Sequence, residues 1–118
     1  QTATASGSNR GRCLLGMRWL EGIDGCKKPK EAVRLFRLAG KEHFPLSFSL
    51  LGDCYWHGDG VNRDAERAIE CFRIAATLGD PLGMFSLSLC YLEGVGVKKD
   101  FSAAIRWLHA ASKMGSPE

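Results

Sequence analysis

The sequence lacks the features that mark several large classes of protein. No run of apolar residues approaches the roughly 18 positions that a membrane-spanning helix needs. Lysine and arginine are interleaved with aspartate and glutamate, and the net charge is only +3, so no concentrated basic stripe is available for nucleic acid. No nucleophile motif and no glycine-rich phosphate loop is present. We therefore expect no membrane segment, no nucleic-acid partner, no cofactor and no enzymatic activity.

A recognisable leader is also missing, and the chain begins with Gln1 rather than Met. We interpret the chain as a fragment or a processed product, so the missing leader says little about its destination. At the other end, residues 115–118 resemble the opening of a further unit, because Pro117 occupies the position that Pro81 has in its own repeat. We expect the natural protein to continue past this chain.

What the sequence does contain is a self-similarity with a period of 36 residues. Identities recur at this spacing, among them Pro45 with Pro81, Tyr55 with Tyr91, Gly58 with Gly94, Gly60 with Gly96, Val61 with Val97, Asp64 with Asp100, Ala68 with Ala104, Ala75 with Ala111 and Gly79 with Gly115. A weaker third copy precedes them, and its Leu15 and Gly16 align with Leu51 and Gly52. A fixed period of about 20 to 50 residues indicates stacked repeats that each bury one face against the next. Such arrays usually present a surface to a partner.

Each repeat is predicted to be a pair of helices, called A and B. In the second copy, helix A begins at Pro45, which suits a first helical turn, and runs to about His57. The segment Gly58-Asp59-Gly60-Val61 ends it, because glycine tolerates the left-handed conformation at helix ends. Asp64 is suited to cap the start of helix B, which continues to about Leu78.

The third copy repeats these signals, whereas the first copy departs from them. Helix A of the third copy is predicted from Pro81 to Glu93, and helix B from the cap Asp100 to about Met114. The first copy has Lys28 at the cap position, so its second helix is predicted to begin at Pro29 or Lys30. Residues 1 to about 8 are small and polar, and we predict a flexible tail there.

Two adjacent copies of one motif carry a family resemblance. The motif reads Leu51-Gly52-x-x-Tyr55-x-x-Gly58-x-Gly60-Val61-x-x-Asp64-x-x-x-Ala68 and then Ala75-Ala76-x-x-Gly79. It resembles the Sel-one-like repeat family, a relative of tetratricopeptide repeats, over residues from about 9 to 118. The resemblance implies an all-α, right-handed superhelix of about three repeats, near 9–44, 45–80 and 81–116, with the A helices lining a concave surface. It also implies an adaptor or scaffold, since members include parts of membrane-associated ubiquitin-ligase complexes, activators of cell-wall synthesis and bacterial proteins at host interfaces.

Small and large residues form one stripe on each helix, and we assign these stripes to packing. The helix A stripes are Gly11, Leu15, Gly16 and Trp19, then Ser47, Leu51, Gly52 and Tyr55, then Gly83, Leu87, Ser88 and Tyr91. The helix B stripes are Ala68, Cys71, Phe72, Ala75 and Ala76, then Ala104, Trp107, Leu108, Ala111 and Ser112. Small residues let neighbouring helices approach closely while an aromatic side chain fills the gap.

A partner that binds the inner surface would contact helix A residues outside these stripes. The candidate partner-binding residues are Arg12, Met17, Phe48, Asp53, Trp56, His57, Met84, Leu89 and Glu93. Phe48, Met84 and Leu89 are apolar and would form a peptide groove if exposed, or would pack between neighbouring A helices if not. Trp56 is the strongest single candidate, because tryptophan is enriched at binding hot spots.

Three other interpretations stay open at this point. Cys54, His57 and Asp59 lie close enough to suggest a metal site, but no second ligand pair accompanies them. An RNA-binding repeat protein would read one base per repeat, yet Met17, Asp53 and Leu89 form no coherent code. The chain could also be a spacer within a longer array.

The end of the repeat array is a further candidate surface. The helix B face around Trp107 and Leu108 ends the array and could support self-association.

Five cysteines is an odd number, so at least one is free. Cys54 and Cys90 share a repeat position, and neighbouring repeats lie roughly 10 Å apart, beyond the Cα separation that a disulfide allows. We expect reduced core cysteines and favour a reducing compartment.

Overall fold

A computed structural model describes the backbone of residues 2–115 and the side chains of residues 8–113. The described residues form six α-helices and no β-strand: α1 Thr2–Glu21, α2 Pro29–Lys41, α3 Pro45–His57, α4 Ala65–Thr77, α5 Pro81–Glu93 and α6 Phe101–Gly115. The A helices are α1, α3 and α5, and the B helices are α2, α4 and α6. This architecture confirms the predicted all-α array of helical pairs. The predicted start of a fourth unit, at Ser116–Glu118, lies outside the described residues.

Local signals set the helix ends where the sequence predicted them. Proline occupies the first turn of α2, α3 and α5. The Asp64 carboxylate accepts a hydrogen bond from the backbone N–H of Arg67 at 3.1 Å, and Asp100 accepts one from Ala103 at the same distance. Gly58 and Gly94 end α3 and α5 with φ values of 77° and 68°, which residues with a Cβ adopt only at a cost.

The first helix begins before the first predicted repeat. The sequence predicts a flexible tail over residues 1 to about 8, and the structure begins α1 at Thr2. This segment contains no proline, so no residue in it forces a helix that exists from residue 9 onward to end, although Gly7 disfavours the helix. Extending a formed helix adds one backbone hydrogen bond per residue, whereas starting a new one is costly.

The order of packing defines a curved array. Each A helix packs on the B helix of its own repeat, and each B helix packs on the next A helix. Neighbouring A helices also contact each other, α1 with α3 and α3 with α5. Over residues 2–115, the three B helices make no such contact among themselves. The array therefore curves with its A helices on the inner side.

Close packing within a repeat depends on glycine facing an aromatic ring. A Cβ built on Gly16 would lie 2.5 Å from Phe36 Cε1, and one built on Gly52 would overlap the ring of Phe72. Both phenylalanines are buried, in two adjoining hydrophobic clusters. The predicted role of small residues in the stripes, close helix approach, is confirmed at these two positions.

Helix faces that are buried inside the array are exposed at its two ends. Leu15 is 44% exposed, although its repeat equivalents Leu51 and Leu87 are 7% and 0% exposed. The stripe prediction is therefore wrong for Leu15 and for the exposed Gly11, because no helix precedes α1 in the described part of the chain. At the other end, Ile105 of α6 is 63% exposed, whereas its equivalent Ile69 is 3% exposed beneath α5.

Candidate functional site

A pocket of about 300 Å³ opens between the A helices α3 and α5. Its lining residues come from three helices: Asp53, Trp56 and His57 from α3, Phe72 from α4, and Ser86, Leu89, Cys90 and Glu93 from α5. It lies on the inner, A-helix side of the array, between two neighbouring repeats. We call it the α3–α5 pocket.

Helical spacing brings the lining residues together. Trp56 and His57 lie three and four positions after Asp53, which places both beside Asp53 on one face of α3. Leu89 and Glu93 are four positions apart and form the matching face of α5. The two faces meet because the turn from Leu78 to Asp80, between α4 and α5, lays α5 beside α3.

The inner wall of the pocket is aromatic and aliphatic. The rings of Trp56 and Phe72 lie with centroids 6.5 Å apart and planes inclined by 49°. Phe72 and Cys90 are buried in the hydrophobic cluster below, whereas Trp56 is half-buried against the same cluster. Leu89 is exposed on the opposite wall. The pocket therefore has a rigid hydrophobic base that is part of the protein core.

The rim of the pocket carries acidic groups. Asp53 and Glu93 are exposed on opposite helices. Loss of water around the Asp53 carboxyl raises its pKa, and the nearby imidazole of His57 partly offsets that effect. His57 Nδ1 lies 3.0 Å from the Asp53 carbonyl oxygen and donates a hydrogen bond to it.

The rim carboxylates have no ion-pair partner in the described part of the chain. The ion pairs found there are Arg34 with Glu31 and Arg67 with Asp64, and neither reaches the pocket. Arg63 Nε donates to the Trp56 carbonyl oxygen at 3.0 Å. Among the described residues, neither the Asp53 nor the Glu93 carboxylate is paired with a lysine or an arginine.

The pocket unites five of the nine candidate residues: Asp53, Trp56, His57, Leu89 and Glu93. Met84 is buried in the second hydrophobic cluster, which fits the packing alternative given for the apolar candidates. Phe48 is half-buried, and its ring would lie 3.5 Å from a Cβ on Gly40 of α2.

The remaining two candidates lie apart from the pocket, on α1. Arg12 Nη1 donates to Asn9 Oδ1 at 2.7 Å, and Asn9 Nδ2 in turn donates to Glu42 Oε1 at 2.8 Å. Met17 is partly exposed on the same helix. Arg12 therefore belongs to a polar network that joins the start of α1 to the end of α2.

Sequence reasoning missed other parts of the site. Phe72 was assigned to packing alone, although its ring also forms part of the pocket wall. Ser86 and Cys90 were not candidates at all. Their register on α5 was the available signal, because Ser86 lies three positions before Leu89 and Cys90 lies three positions before Glu93.

Metal binding was one of the open alternatives, and no membrane segment was expected. Cys54 is buried, whereas His57, three positions later on α3, is exposed. Among the described residues, no group of three or more His, Cys, Asp and Glu side chains is placed to hold a metal ion. Within the same residues no helix is both long and apolar enough to cross a bilayer.

The sequence matches a known family along nearly its whole length. The Sel1 repeat model matches residues 10–43, 49–80 and 81–116, in register with the three helical pairs. The chain belongs to the Sel1 repeat family. The Sel1 repeat is commonly a protein–protein interaction module, and its family members are typically non-enzymatic scaffolds.

Solved structures of Sel1 repeat proteins share the fold. A Sel1 repeat protein from Oxalobacter formigenes is 34% identical, with a TM-score of 0.84 over 92% of this chain and 44% of that one. A protective antigen of uropathogenic Escherichia coli with the same repeat fold is 30% identical, with a TM-score of 0.83 over 98% of this chain and 25% of that one. The chain thus spans less than half the length of either structure.

A third structure supports the fold alone. Cysteine-rich protein B of Helicobacter pylori is 22% identical, with a TM-score of 0.75 over 98% of this chain and 89% of that one. A search of curated proteins found no match.

Proposed function

We propose that this Sel1 repeat chain binds a protein or peptide partner on its A-helix surface, with the α3–α5 pocket at the centre of the contact. The observation that carries the proposal is the pocket itself, which places a half-buried tryptophan between two repeats on the inner side of the curved array. Pockets with an apolar base and a few polar groups at the rim are the usual form of a binding site.

Trp56 is the residue on which this proposal depends most. Its ring packs on the core beside Phe72, so it is already ordered before a partner arrives. A preorganised aromatic side chain loses little conformational entropy on binding and offers a large contact area. Its repeat equivalents are Leu20 and Leu92, so the repeat fold itself does not require tryptophan there.

The test is capture from a native lysate with the immobilised chain, comparing Trp56→Ala with wild type. We expect the variant to lose a partner that wild type retains, with affinity reduced by about 30-fold or more if Trp56 is a hot spot. Phe101→Ala is the matched control, because Phe101 is an exposed aromatic residue at the array end, away from the pocket. Circular dichroism verifies that both variants keep their helices.

Two results of this capture would contradict the proposal. One is a partner that binds Trp56→Ala as well as it binds wild type. The other is capture that nuclease treatment abolishes, which would favour the RNA-binding alternative.

A second proposal concerns the exposed face of α6. We propose that a second copy of the chain covers this face, because Ile69 on the equivalent face of α4 packs with residues of α5 and lies against Gly96. Ile105 holds the position of Ile69 on α6, and both Ile105 and Leu108 are exposed. Trp107, predicted as part of this face, is instead half-buried against the second cluster.

Sedimentation across a range of concentrations tests the second proposal. Wild type is expected to form dimers or larger species as concentration rises, and Ile105→Glu is expected to remain monomeric. A wild-type chain that stays monomeric at high concentration would overturn it.

A further inference from the structure

The rim of the α3–α5 pocket carries two carboxylates. Asp53 and Glu93 supply them from opposite walls, and His57 Nδ1 donates a hydrogen bond to the Asp53 carbonyl oxygen. Within the described residues no lysine or arginine forms an ion pair with either carboxylate. A cation between these walls would therefore meet opposite charge on two sides.

The pocket below this rim suits the carbon chain of a long side chain. Trp56 and Phe72 form one wall and Leu89 another, over a volume of about 300 Å³. Lysine and arginine combine an apolar stem with a charged end, and they bury the stem along apolar surface while the end remains polar. A short acidic or a purely aliphatic side chain would use only one part of this arrangement.

The chain already pairs cations with aromatic rings elsewhere. Lys28 Nζ lies 4.9 Å from the ring centre of Trp19, and Arg67 Cζ lies 5.9 Å from that of Tyr55. In the described part of the chain no lysine or arginine side chain occupies such a position over Trp56. The Trp56 ring, which faces the pocket, is available for a cation supplied from outside.

The carboxylate at position 53 is particular to this pocket. The equivalent residues of the first and third repeats are Met17 and Leu89, both apolar. The helical repeat therefore does not need an acid at this position. Asp53 is placed opposite Glu93 and beside Trp56, where it can face a group that enters the pocket.

We propose that the α3–α5 pocket selects a lysine or arginine side chain of the partner, with its cation between Asp53 and Glu93 and its stem against Trp56. This inference rests on the proposed function, because it names the chemistry of the partner segment that enters the same pocket. The Coulomb attraction between exposed charges is modest, so the pair supplies selectivity on a contact whose main strength is apolar.

The test uses a library of 12-residue peptides displayed on phage. Peptides that bind the Trp56→Ala variant are removed first, and the remaining peptides are selected for binding to the wild-type chain. We expect the selected peptides to share a lysine or arginine. Synthetic peptides then carry citrulline in place of that arginine, or acetyl-lysine in place of that lysine, which removes the charge at nearly constant length. The dissociation constant is expected to rise by about three- to ten-fold.

Variants of the chain test whether the effect of the peptide charge on affinity depends on the two rim carboxylates. Asp53→Asn and Glu93→Gln should each weaken the charged peptide by a similar factor and leave the neutral peptide unchanged. Glu70→Gln is the matched control, since Glu70 is an exposed acid of α4 outside the pocket, and it should leave both peptides unchanged.

The outcomes separate the two proposals. Peptides that need Trp56 but bind equally well without their positive charge would overturn this inference and leave the proposed function standing. Failure to select any peptide that distinguishes wild type from Trp56→Ala would overturn both.

Discussion

At the scale of single residues, the glycine-on-phenylalanine contact links sequence to packing most directly. Gly52 lies against Phe72, and Gly16 lies against Phe36 in the same relation, 20 positions apart in both repeats. The third repeat holds Ser88 and Leu108 at these two positions. A larger residue on helix A therefore accompanies a smaller one on helix B, which is expected if the pair must fill one fixed space.

Gly52→Ala tests this packing. The new methyl group would overlap the Phe72 ring, and overpacking of this kind costs about 1–3 kcal/mol, while alanine returns about 1 kcal/mol through its helix propensity. We expect a net loss of up to about 2 kcal/mol in the free energy of unfolding, measured by urea denaturation.

Two further variants make this test specific. Gly52→Ala combined with Phe72→Leu should recover at least half of the loss, because it reproduces the size pattern of Ser88 and Leu108. Gly11→Ala is the control for helix propensity, since no atom lies within 4 Å of its added Cβ, and it should be neutral or stabilising. A double variant no more stable than Gly52→Ala alone would contradict the packing account.

The cysteines give a second prediction at this scale. Burial raises the pKa of Cys13 and Cys71 to about 11 and that of Cys54 to about 12, and it also raises the pKa of Cys90. Cys26 is exposed, and all five thiols are free. Because the thiolate is the reactive form, a raised pKa keeps the buried thiols protonated and unreactive at pH 8.

Alkylation with iodoacetamide at pH 8, followed by peptide mass spectrometry, checks this prediction. Cys26 should be modified first, and the other four should follow only after unfolding in denaturant. Modification of Cys54 at the same rate as Cys26 in the folded chain would show that the core around α3 is not closed as described.

At the scale of helices, equivalent positions differ in what covers them. Leu15 and Leu87 occupy the same place in the first and third repeats, but only Leu87 is covered by a preceding B helix, α4. In a repeat array, the stability contributed by a helix face depends on the neighbour that covers it.

Leu87→Ala and Leu15→Ala should therefore differ in cost. The first removes a fully buried side chain and is expected to destabilise the fold by about 2–5 kcal/mol. The second alters a surface position and should cost less than about 1 kcal/mol. Both are measured by urea denaturation, and equal costs would contradict the assignment of the α1 face as open surface.

Most helix bounds could be predicted from the sequence because their causes are local. Asp64, Asp100 and the prolines at the starts of α2, α3 and α5 act within one helical turn, and the structure places each where it was expected. Asp80 was missed as a cap, although its carboxylate accepts a hydrogen bond from the Gly83 N–H at 3.3 Å and another from Ser49 Oγ of α3. The start of α1 was missed because its segment carries no stop signal.

The pocket was predicted only in part, because its existence depends on contacts between repeats. Met84 and Leu89 are both apolar residues of α5, and periodicity alone did not show that one is buried and the other exposed. Which face of α5 turns toward α3 follows from the packing of α4 on α5. Trp56, by contrast, was identifiable because its repeat equivalents are leucines.

At the scale of the whole molecule, curvature decides which surface a partner meets. The A helices contact one another along the inner side, so side chains that leave the repeated stripes converge there. The α3–α5 pocket lies at this convergence, and the B helices face outward. A partner that binds the inner side would therefore contact more than one repeat.

Site-specific photo-crosslinking tests the central claim most directly, that the partner occupies the α3–α5 pocket. The photoreactive amino acid p-benzoylphenylalanine replaces Leu89 in the pocket or, as control, Ile74 on α4. These residues are matched in exposure, at 42% and 44%, and Ile74 lies outside the pocket. We predict that the captured partner crosslinks to position 89 and not to position 74. A partner that is retained by both variants but crosslinks at position 74, or at neither, would contradict the account.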